Sequence, residues 1–312
     1  MLTFCLAIFL LLLTLLPIVR NRHWLFRTPM YLSIQVGIFT LIVFIFNLIF
    51  RLEYFWFTTA ICCIILIIQI QRILGFAIDF KRHVKQVNET TDHSFTILIF
   101  NVYQYNEKYE EVAKMLEEKD ADVVLLVEVD QKWQDALEHL PYPHIVDVAK
   151  DNTYGMLLLS KFPYSDFEIR YIVEKDVPSV MAKIDINGSL IRIYGIHPKP
   201  PVPGENESSY PKDLEVTLLA REISKEPHPH TIVAGDLNDV PWSQNSKFFI
   251  KHSELKDPRI GRGLFGTFPS YFPIKIPLDH VFCSSDFGVI DIQKLPSSGS
   301  DHHPLLIRFA IL

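Results

Sequence analysis

The chain of 312 residues has only four cysteines, and three of them (Cys5, Cys62 and Cys63) lie in uncharged apolar runs. Cys283 stands alone in the more polar remainder, so neither a disulfide framework nor a cysteine-based zinc site can be built. There is no glycine-rich phosphate loop, internal repeat or low-complexity tract. A basic excess is missing too. Residues 1–94 account for 8 of the 30 basic and 4 of the 36 acidic residues, leaving 22 against 32 and a net charge of −10 for the rest. That portion lacks the whole-surface field that draws a protein to a polyanion such as DNA, although local basic patches stay compatible with the count.

Charge is absent altogether from three stretches: residues 2–19, 28–50 and 54–71. Each is about long enough to cross a bilayer, and the third opens on "YFWF", aromatic residues of the kind that anchor at an interface. A cleaved signal peptide does not account for the first stretch, which lacks a charged start and a small-residue cleavage site and is followed by two more. Helices of a soluble core seldom run this long without a polar face. The pattern predicts a three-helix transmembrane anchor over residues 1–75, with helices at about 2–19, 29–50 and 54–72, in a multi-pass protein of the cell membrane that meets the lipid bilayer. Arg20, Arg22 and Arg27 follow the first helix, and Arg72, Lys81, Arg82 and Lys85 follow the third. Only Arg51 lies between the second and third. The positive-inside rule then puts the C-terminal part on the cytoplasmic side.

Residues 76–94 are polar without a sustained period and read as a linker. From 95 to 312 short apolar runs alternate with polar loops. "FTILIFNV" (95–102) and "ADVVLLVEVD" (121–130) read as strands buried on both faces. Between them lies a helix over about 107–119, with Asn106 as its cap. Strand, helix, strand with short joins predicts a parallel βαβ unit. Further strands are expected at 154–163, 179–186 and 190–197, with Asn187-Gly188 as a hairpin turn between the last two. Ser209 and Pro211 announce a helix over about 210–225. "HTIVAGD", "PLDHVFCS" and "PLLIRFAIL" complete the strands, the first expected to stop at Gly235. The class is α/β, with a mixed sheet or a pair of packed sheets.

Several of these strands end in a polar residue that a core would not welcome: Asn101, Glu128, His197, Asp236 with Asn238, Asp279, and Asp301 with His302. Singly, each has a plain explanation as a cap, a rim ion pair or an Asx-turn. Jointly they do not, because an unpaired buried carboxylate costs several kcal/mol, and a shared divalent cation relieves the whole set. Carboxylate and amide oxygens without thiolates favour Mg²⁺, with Mn²⁺ or Ca²⁺ as alternatives. Such a cation beside Asp and His suits phosphoryl chemistry.

The series Asn101, Glu128, His197, "GDLN" (235–238), "LDHVF" (278–282) and "SDHHP" (300–304) resembles, in that order, the endonuclease/exonuclease/phosphatase superfamily. The resemblance covers about 95–312. "YGMLLLSKFP" and "HPKPPVPGENESS" are further similar to a membrane-anchored bacterial branch of it. It implies a deoxyribonuclease I-like, four-layer α/β sandwich of two packed mixed sheets. It also implies roles. Glu128 binds the metal, assisted by Asn101, with Asp301 nearby. Asp236 orients or deprotonates the attacking water, and Asn238 holds the scissile phosphate. His302 acts as acid/base or stabilises the phosphorane from the opposite side of the reacting centre, with Asp279 fixing its tautomer. His197 is a second acid or phosphate donor, and Lys161 falls near a phosphate-contacting arginine of some nucleases. Asp239, His280 and His303 match no catalytic position. The expected activity is Mg²⁺-dependent hydrolysis of a phosphodiester. The substrate is a nucleic acid or, in better accord with the anchor and the −10 charge, a phospholipid head group or a phospho-sugar, the enzyme then being a lipid head-group phosphodiesterase or a phosphatase. A non-catalytic scaffold is the remaining alternative.

Overall fold

The computed structural model describes every residue except 78, 79, 91 and 92. The first apolar run forms α1 (Leu2–Leu15), closed by a 3₁₀ turn, Leu16–Ile18, that contains Pro17. Fourteen helical residues rise roughly 21 Å against about 30 Å of hydrocarbon. The second run does not make one helix. It gives the end of α2 (Trp24–Tyr31), breaks at Leu32, and resumes as α3 (Ser33–Phe50). The third gives α4 (Phe55–Ile73), extended by a 3₁₀ turn to Phe76. Among the described residues two helices, Ser33–Phe50 and Phe55–Phe76, are long and apolar enough to cross a membrane, where three were expected; Leu2–Ile18 falls short.

These helices hide polar groups and display apolar ones. Thr14, Thr40, Asn47 and Gln69 are buried, whereas Phe39, Ile42, Ile49, Trp56 and Phe57 are exposed. The hidden groups bond one another: Gln69 Nε2 donates to Thr14 Oγ1 (3.1 Å), and Arg72 Nη1 donates to Gln69 Oε1 (3.1 Å) and Ser33 Oγ (3.2 Å). Helix α2 instead docks on the C-terminal part. Trp24 Nε1 donates to Glu207 Oε2 (2.7 Å), and Trp242 Nε1 donates to Met30 O (3.0 Å).

The rest alternates strands and helices. The segment expected as a linker carries a short strand, β1 (Lys85–Gln86). There follow β2 (Ser94–Asn101), α5 (Tyr109–Lys119), β3 (Val123–Val127), α6 (Gln131–Leu137), β4 (His144–Val148), β5 (Met156–Ser160) and β6 (Tyr164–Arg170). Next come β7 (Ser179–Ile186), β8 (Ser189–Ile196), α7 (Tyr210–Lys225), β9 (Thr231–Asp236) and α8 (Gln244–Ser253). Strands β10 (Asp279–Cys283), β11 (Phe287–Lys294) and β12 (Leu305–Ile311) close the chain. Asn106 does not cap α5: its Oδ1 accepts from Lys108 N in the preceding turn, and Lys108 takes the cap position.

Two mixed sheets result, ordered β1-β11-β12-β2-β3-β5-β4 and β10-β9-β8-β7-β6. Strands β2 and β3 are parallel neighbours, as the βαβ reading requires. The sheets meet through Ile97, Ile99, Leu125, Val127, Ala182, Ile193, Ile232 and Val281. On the outer face of the first, Leu98, Phe100, Val124 and Leu126 pack with Val112 and Leu116 of α5 and Trp133 of α6. On the outer face of the second, Tyr194, Val233 and Phe282 pack with Val216 and Leu219 of α7 and Phe249 of α8. This is the expected four-layer sandwich. Alternate residues of a central strand serve different layers, so the strand is apolar throughout.

Candidate active site

The topology explains why residues far apart in sequence meet. Asn101 ends β2 and Glu128 follows β3, its parallel neighbour, in which Asn101 pairs with Val127. His197 follows β8 and Asp236 ends β9, again parallel neighbours. Strands β10 and β12 run antiparallel to β9 and β2, so Asp279 starts directly opposite Asp236, and His302 precedes the residue facing Ile99 by three. All six polar residues therefore gather at one end of the sandwich. Strand β9 does not stop at Gly235 as expected but runs on through Asp236. The glycine serves close approach: its φ is 141°, and a Cβ there would lie 1.9 Å from Ile196 O.

Asp236 is the hub. Its Oδ2 lies 3.5 Å from His302 Nε2 and 3.9 Å from His197 Nε2, and it accepts from Asn101 Nδ2 at 3.1 Å. Its Oδ1 accepts from Asn238 N at 2.9 Å. His302 Nδ1 meets Asp279 Oδ2 at 2.8 Å. His302 and Asp236 are thus neighbours in one chain of contacts, not groups on opposite sides of a reacting centre. Asn101 also donates to Glu128 Oε1 (2.8 Å) while its own Oδ1 accepts from Tyr103 N (3.0 Å), so in this arrangement it bridges two carboxylates.

Burial and charge tune these groups in opposite directions. Burial alone would lower the His302 pKa, but Asp279 and Asp236 outweigh it and raise it to about 10. Asp236 is raised by burial, yet His302 and His197 hold it below the usual carboxylate range. His197, with less compensation from its acidic neighbours, is lowered by burial. Burial lifts Glu128 to about 7 despite the Asn101 hydrogen bond, and Asp301 adds to the rise. Burial raises Asp301 as well.

The pocket holding these groups has a volume of about 370 Å³. Glu128, Glu205, Asp236, Asp301, His197 and His302 line it, and none of its described lining residues is a lysine or arginine. Four of its lining residues (Tyr103, Glu128, Thr153 and Asn238) have left-handed φ between 49° and 65°. Such conformations cost a non-glycine residue on the order of 1–3 kcal/mol and cluster where side chains must be aimed. Asn238 lines the pocket with Nδ2 also bonded to Pro198 O (3.0 Å).

Lys161 is not in this pocket. It follows β5, which runs antiparallel to β3, and so emerges at the opposite end, paired with Asp120 (2.7 Å) and Asp122 (3.8 Å). Asp239, His280 and His303 are structural: Asp239 pairs with buried Lys212 (3.1 Å), His280 contacts Arg259 (2.9 Å), and His303 contacts Leu295 O (2.8 Å). Sequence reasoning missed three contributors. Ser300 Oγ donates to Asn101 O and accepts from His302 N, and Gln104 N donates to Glu128 Oε2. Tyr31, from α2, enters the pocket wall and donates to Asn238 O (3.0 Å). The motif position of Ser300 beside Asp301 was an available signal; Gln104 and Tyr31 had none.

Does this donor set fit a divalent cation? Asp301 Oδ1 is buried without a hydrogen-bond partner. Its neighbour Glu128 is a half-buried carboxylate to which Asp301 adds repulsion. An orphaned buried oxygen beside a second acid, in a pocket without lysine or arginine, is what a hard cation satisfies. Asp236, Asp279 and His302 also place ligand atoms within 4.8 Å of one another, but there the His302 ring already lies against both carboxylates.

No curated protein sequence matches the chain. Solved structures share its fold. Humanized D. rerio TDP2 is 17% identical with a TM-score of 0.58, covering 70% of this chain and 99% of that one. A Bacteroides thetaiotaomicron mannosyl-6-phosphatase is 17% identical with a TM-score of 0.57, covering 70% and 100%. An endonuclease/exonuclease/phosphatase family protein from the same organism is 19% identical with a TM-score of 0.56, covering 70% and 98%. The sequence profile of the Endonuclease/Exonuclease/phosphatase family matches residues 98–302, from the interior of β2 to His302. With its strand-end residues gathered in one pocket and its profile matched over that span, the chain belongs to this family of phosphoester hydrolases.

Proposed function

We propose that the chain is a membrane-anchored, divalent-metal-dependent phosphoesterase that hydrolyses a phosphodiester by in-line attack of an activated water. The observation that carries this reading is the juxtaposition, at one pocket, of the Asp279–His302–Asp236 chain with the half-buried pair Glu128 and Asp301. Glu128 and Asp301 would hold the cation, with Asn101 fixing the Glu128 carboxylate. Mg²⁺ is the first choice by oxygen ligand set, and Mn²⁺ or Ca²⁺ are alternatives. When bound, the cation supplies Lewis-acid polarisation of a phosphate oxygen.

The remaining work falls to the chain's own groups. Asp236 Oδ2, kept ionised chiefly by the His302 imidazolium, orients the water and takes its proton. His302 stays cationic across the neutral range and stabilises charge that develops on the phosphoryl oxygens. Asp279 fixes the orientation of its ring through Nδ1. Asn238 Nδ2 and His197 donate to a non-bridging oxygen. Overall, phosphorus gains the water oxygen, one P–O ester bond breaks, and the departing alcohol carries the proton.

The proposed division is an anchor over 1–75, a linker over 76–94 and a catalytic domain over 95–312. Two membrane-length helices with polar groups inside and apolar groups outside support the anchor. Arg20, Arg22 and Arg27 share a cavity with Lys212, Asp213 and Asp239, which supports a reading with that basic loop and the catalytic domain on one side of a bilayer crossed by the α3–α4 hairpin. By the positive-inside rule that side is cytoplasmic. On substrate, D. rerio TDP2 has been solved with a single strand DNA product. The lack of lysine and arginine among this pocket's described lining residues instead favours a head-group-sized phosphoester over a nucleic-acid strand.

The test is Glu128→Ala and His302→Ala in the full chain, assayed on bis(p-nitrophenyl) phosphate with and without EDTA. We expect turnover to fall by on the order of 10³-fold or more with the circular dichroism unchanged. Undiminished activity in both variants, or activity indifferent to EDTA, refutes the reading.

A further inference from the structure

A second cavity adjoins the active-site pocket. It is a groove of about 680 Å³ between α1, α3 and the loop from Phe268 to Ile276, lined by Leu6, Phe9, Leu13, Phe39 and Phe272 among others. Gln35 is the one polar side chain among its described lining residues, and its Nε2 reaches Ile274 O (3.4 Å), tying that loop to α3. The volume lies within the roughly 300–1,000 Å³ of small-molecule sites, but the lining is nearly all hydrocarbon. Phe268 and Ile276 line both this groove and the active-site pocket. The Phe268 ring also lies against the His302 imidazole, with centroids 4.9 Å apart. One wall is therefore polar chemistry on its inner side and an apolar channel on its outer side. Beside the groove, Tyr271 and Phe272 are exposed at the loop tip, the residue types that settle at a membrane interface.

We infer that this groove seats the hydrocarbon tail of a phosphate-bearing lipid whose head group reaches the active-site pocket. The inference rests on the phosphoesterase reading above and names its substrate class: an amphiphilic phosphodiester drawn sideways from the bilayer that surrounds α1 and α3. The wall of Phe268 and Ile276 that the groove shares with the pocket selects this occupant, because a tail lying along it leaves its head group beside His302. A water-soluble ester or a nucleic-acid strand has no use for an apolar channel opening between helices. Hydrolysis adds water across one P–O ester bond, leaving a phosphomonoester and an alcohol, and the tail remains in the groove with whichever product carries it.

The test uses the full chain in nanodiscs of phosphatidylglycerol and phosphatidylethanolamine, with Mg²⁺ or Mn²⁺ present. Phosphatidylglycerol carrying a diazirine in its acyl chain is photolysed, and the labelled residues are located by mass spectrometry. Labels are expected at groove positions on α1 and α3 and at Phe272. In parallel, Leu13→Trp, which fills the groove, and Phe272→Ser, which opens it, are assayed on the two lipids and on bis(p-nitrophenyl) phosphate. Lipid turnover should fall about tenfold or more while the soluble ester changes by less than about twofold. Labels spread evenly over the outer faces of the helices, unchanged lipid turnover in both variants, or equal losses on lipid and soluble ester overturn the inference. So does a wild-type enzyme that cleaves the soluble ester and neither lipid. A wild-type enzyme that cleaves none of them fails the phosphoesterase reading itself.

Discussion

The N-terminal helices and the sandwich sort polar and apolar residues differently. In the sandwich, Phe95, Phe100, Trp133 and Phe282 are fully enclosed. In the helices, Thr14, Thr40, Asn47 and Gln69 are enclosed, while Phe39, Phe57 and Trp56 face out. On the membrane-anchor reading proposed above, one chain is written for two solvents. Water drives apolar surface inward and supplies the stability of the sandwich. Hydrocarbon gives no such drive, so helices there associate through packing and interhelical hydrogen bonds. Helix α2 lies at the seam, with Met30 and Tyr31 packed in an apolar cluster with Phe76, Val240, Trp242 and Leu278.

Two tryptophans sharpen this contrast. Trp133 is 0% exposed, edge-on to Tyr109 with centroids 4.6 Å apart, and Trp56 is 79% exposed. Trp133→Ala should cost about 3–5 kcal/mol of sandwich stability, as large-to-small core changes do. Trp56→Ala should stay within about 0.5 kcal/mol while weakening retention in vesicles. Urea unfolding of the full chain in detergent, followed by near-ultraviolet circular dichroism, and vesicle flotation read the two effects. A large urea effect at Trp56 would break the comparison.

How much of this was legible follows the same division of environments. Strands β2 and β3 are readable because each is covered on both faces, so their apolar runs are continuous. Strand β6 was not found: it is a sheet edge, and most of its residues are exposed. Strands β4 and β11 and helices α6 and α8 also escaped, β4 and α6 being short and β4 half exposed. Helix α2 vanished inside an apolar run, because hydropathy cannot distinguish a helix that docks on protein from one that faces lipid. At the site, the carboxylates and histidines stand out because each interrupts an apolar strand end. Lys161 misled because a motif beside a strand does not say which end of the sheet it occupies. The antiparallel run of β5 carries it away from Glu128.

The sandwich does hold one buried acid that behaves differently from the paired polar groups of the helices. Glu215, on α7, has a buried Oε1 without a partner. Burial first, and Glu174 second, raise its pKa from 4.5 to about 8, and Arg170 only partly offsets them. Between those two values the folded chain keeps a proton that the unfolded chain has released. The folded state therefore gains stability below about pH 4.5 and loses it progressively as pH rises towards 8. We expect a decline on the order of a few kcal/mol across that window, removed in Glu215→Gln. Urea midpoints measured from about pH 5 to 8 check it; parallel slopes for the two proteins would show that Glu215 is not the source.

The smallest expected effect probes the helices themselves. Gln69 is enclosed, donates to Thr14 Oγ1 and accepts from Arg72. In water, removing such a bridge from a core strands its partners at full cost. Here Arg72 keeps Ser33 Oγ and Thr14 O as acceptors, and Thr14 still donates to Leu10 O. Gln69→Leu should therefore cost about 1 kcal/mol, the scale of interhelical hydrogen bonds in lipid. Melting of the full chain in detergent micelles measures it, and turnover of bis(p-nitrophenyl) phosphate should not change, because none of these partners touches the pocket. A multi-kcal/mol loss accompanied by falling turnover would mean that helices and sandwich share one cooperative core, and the distinction between two solvents would no longer explain what each region buries.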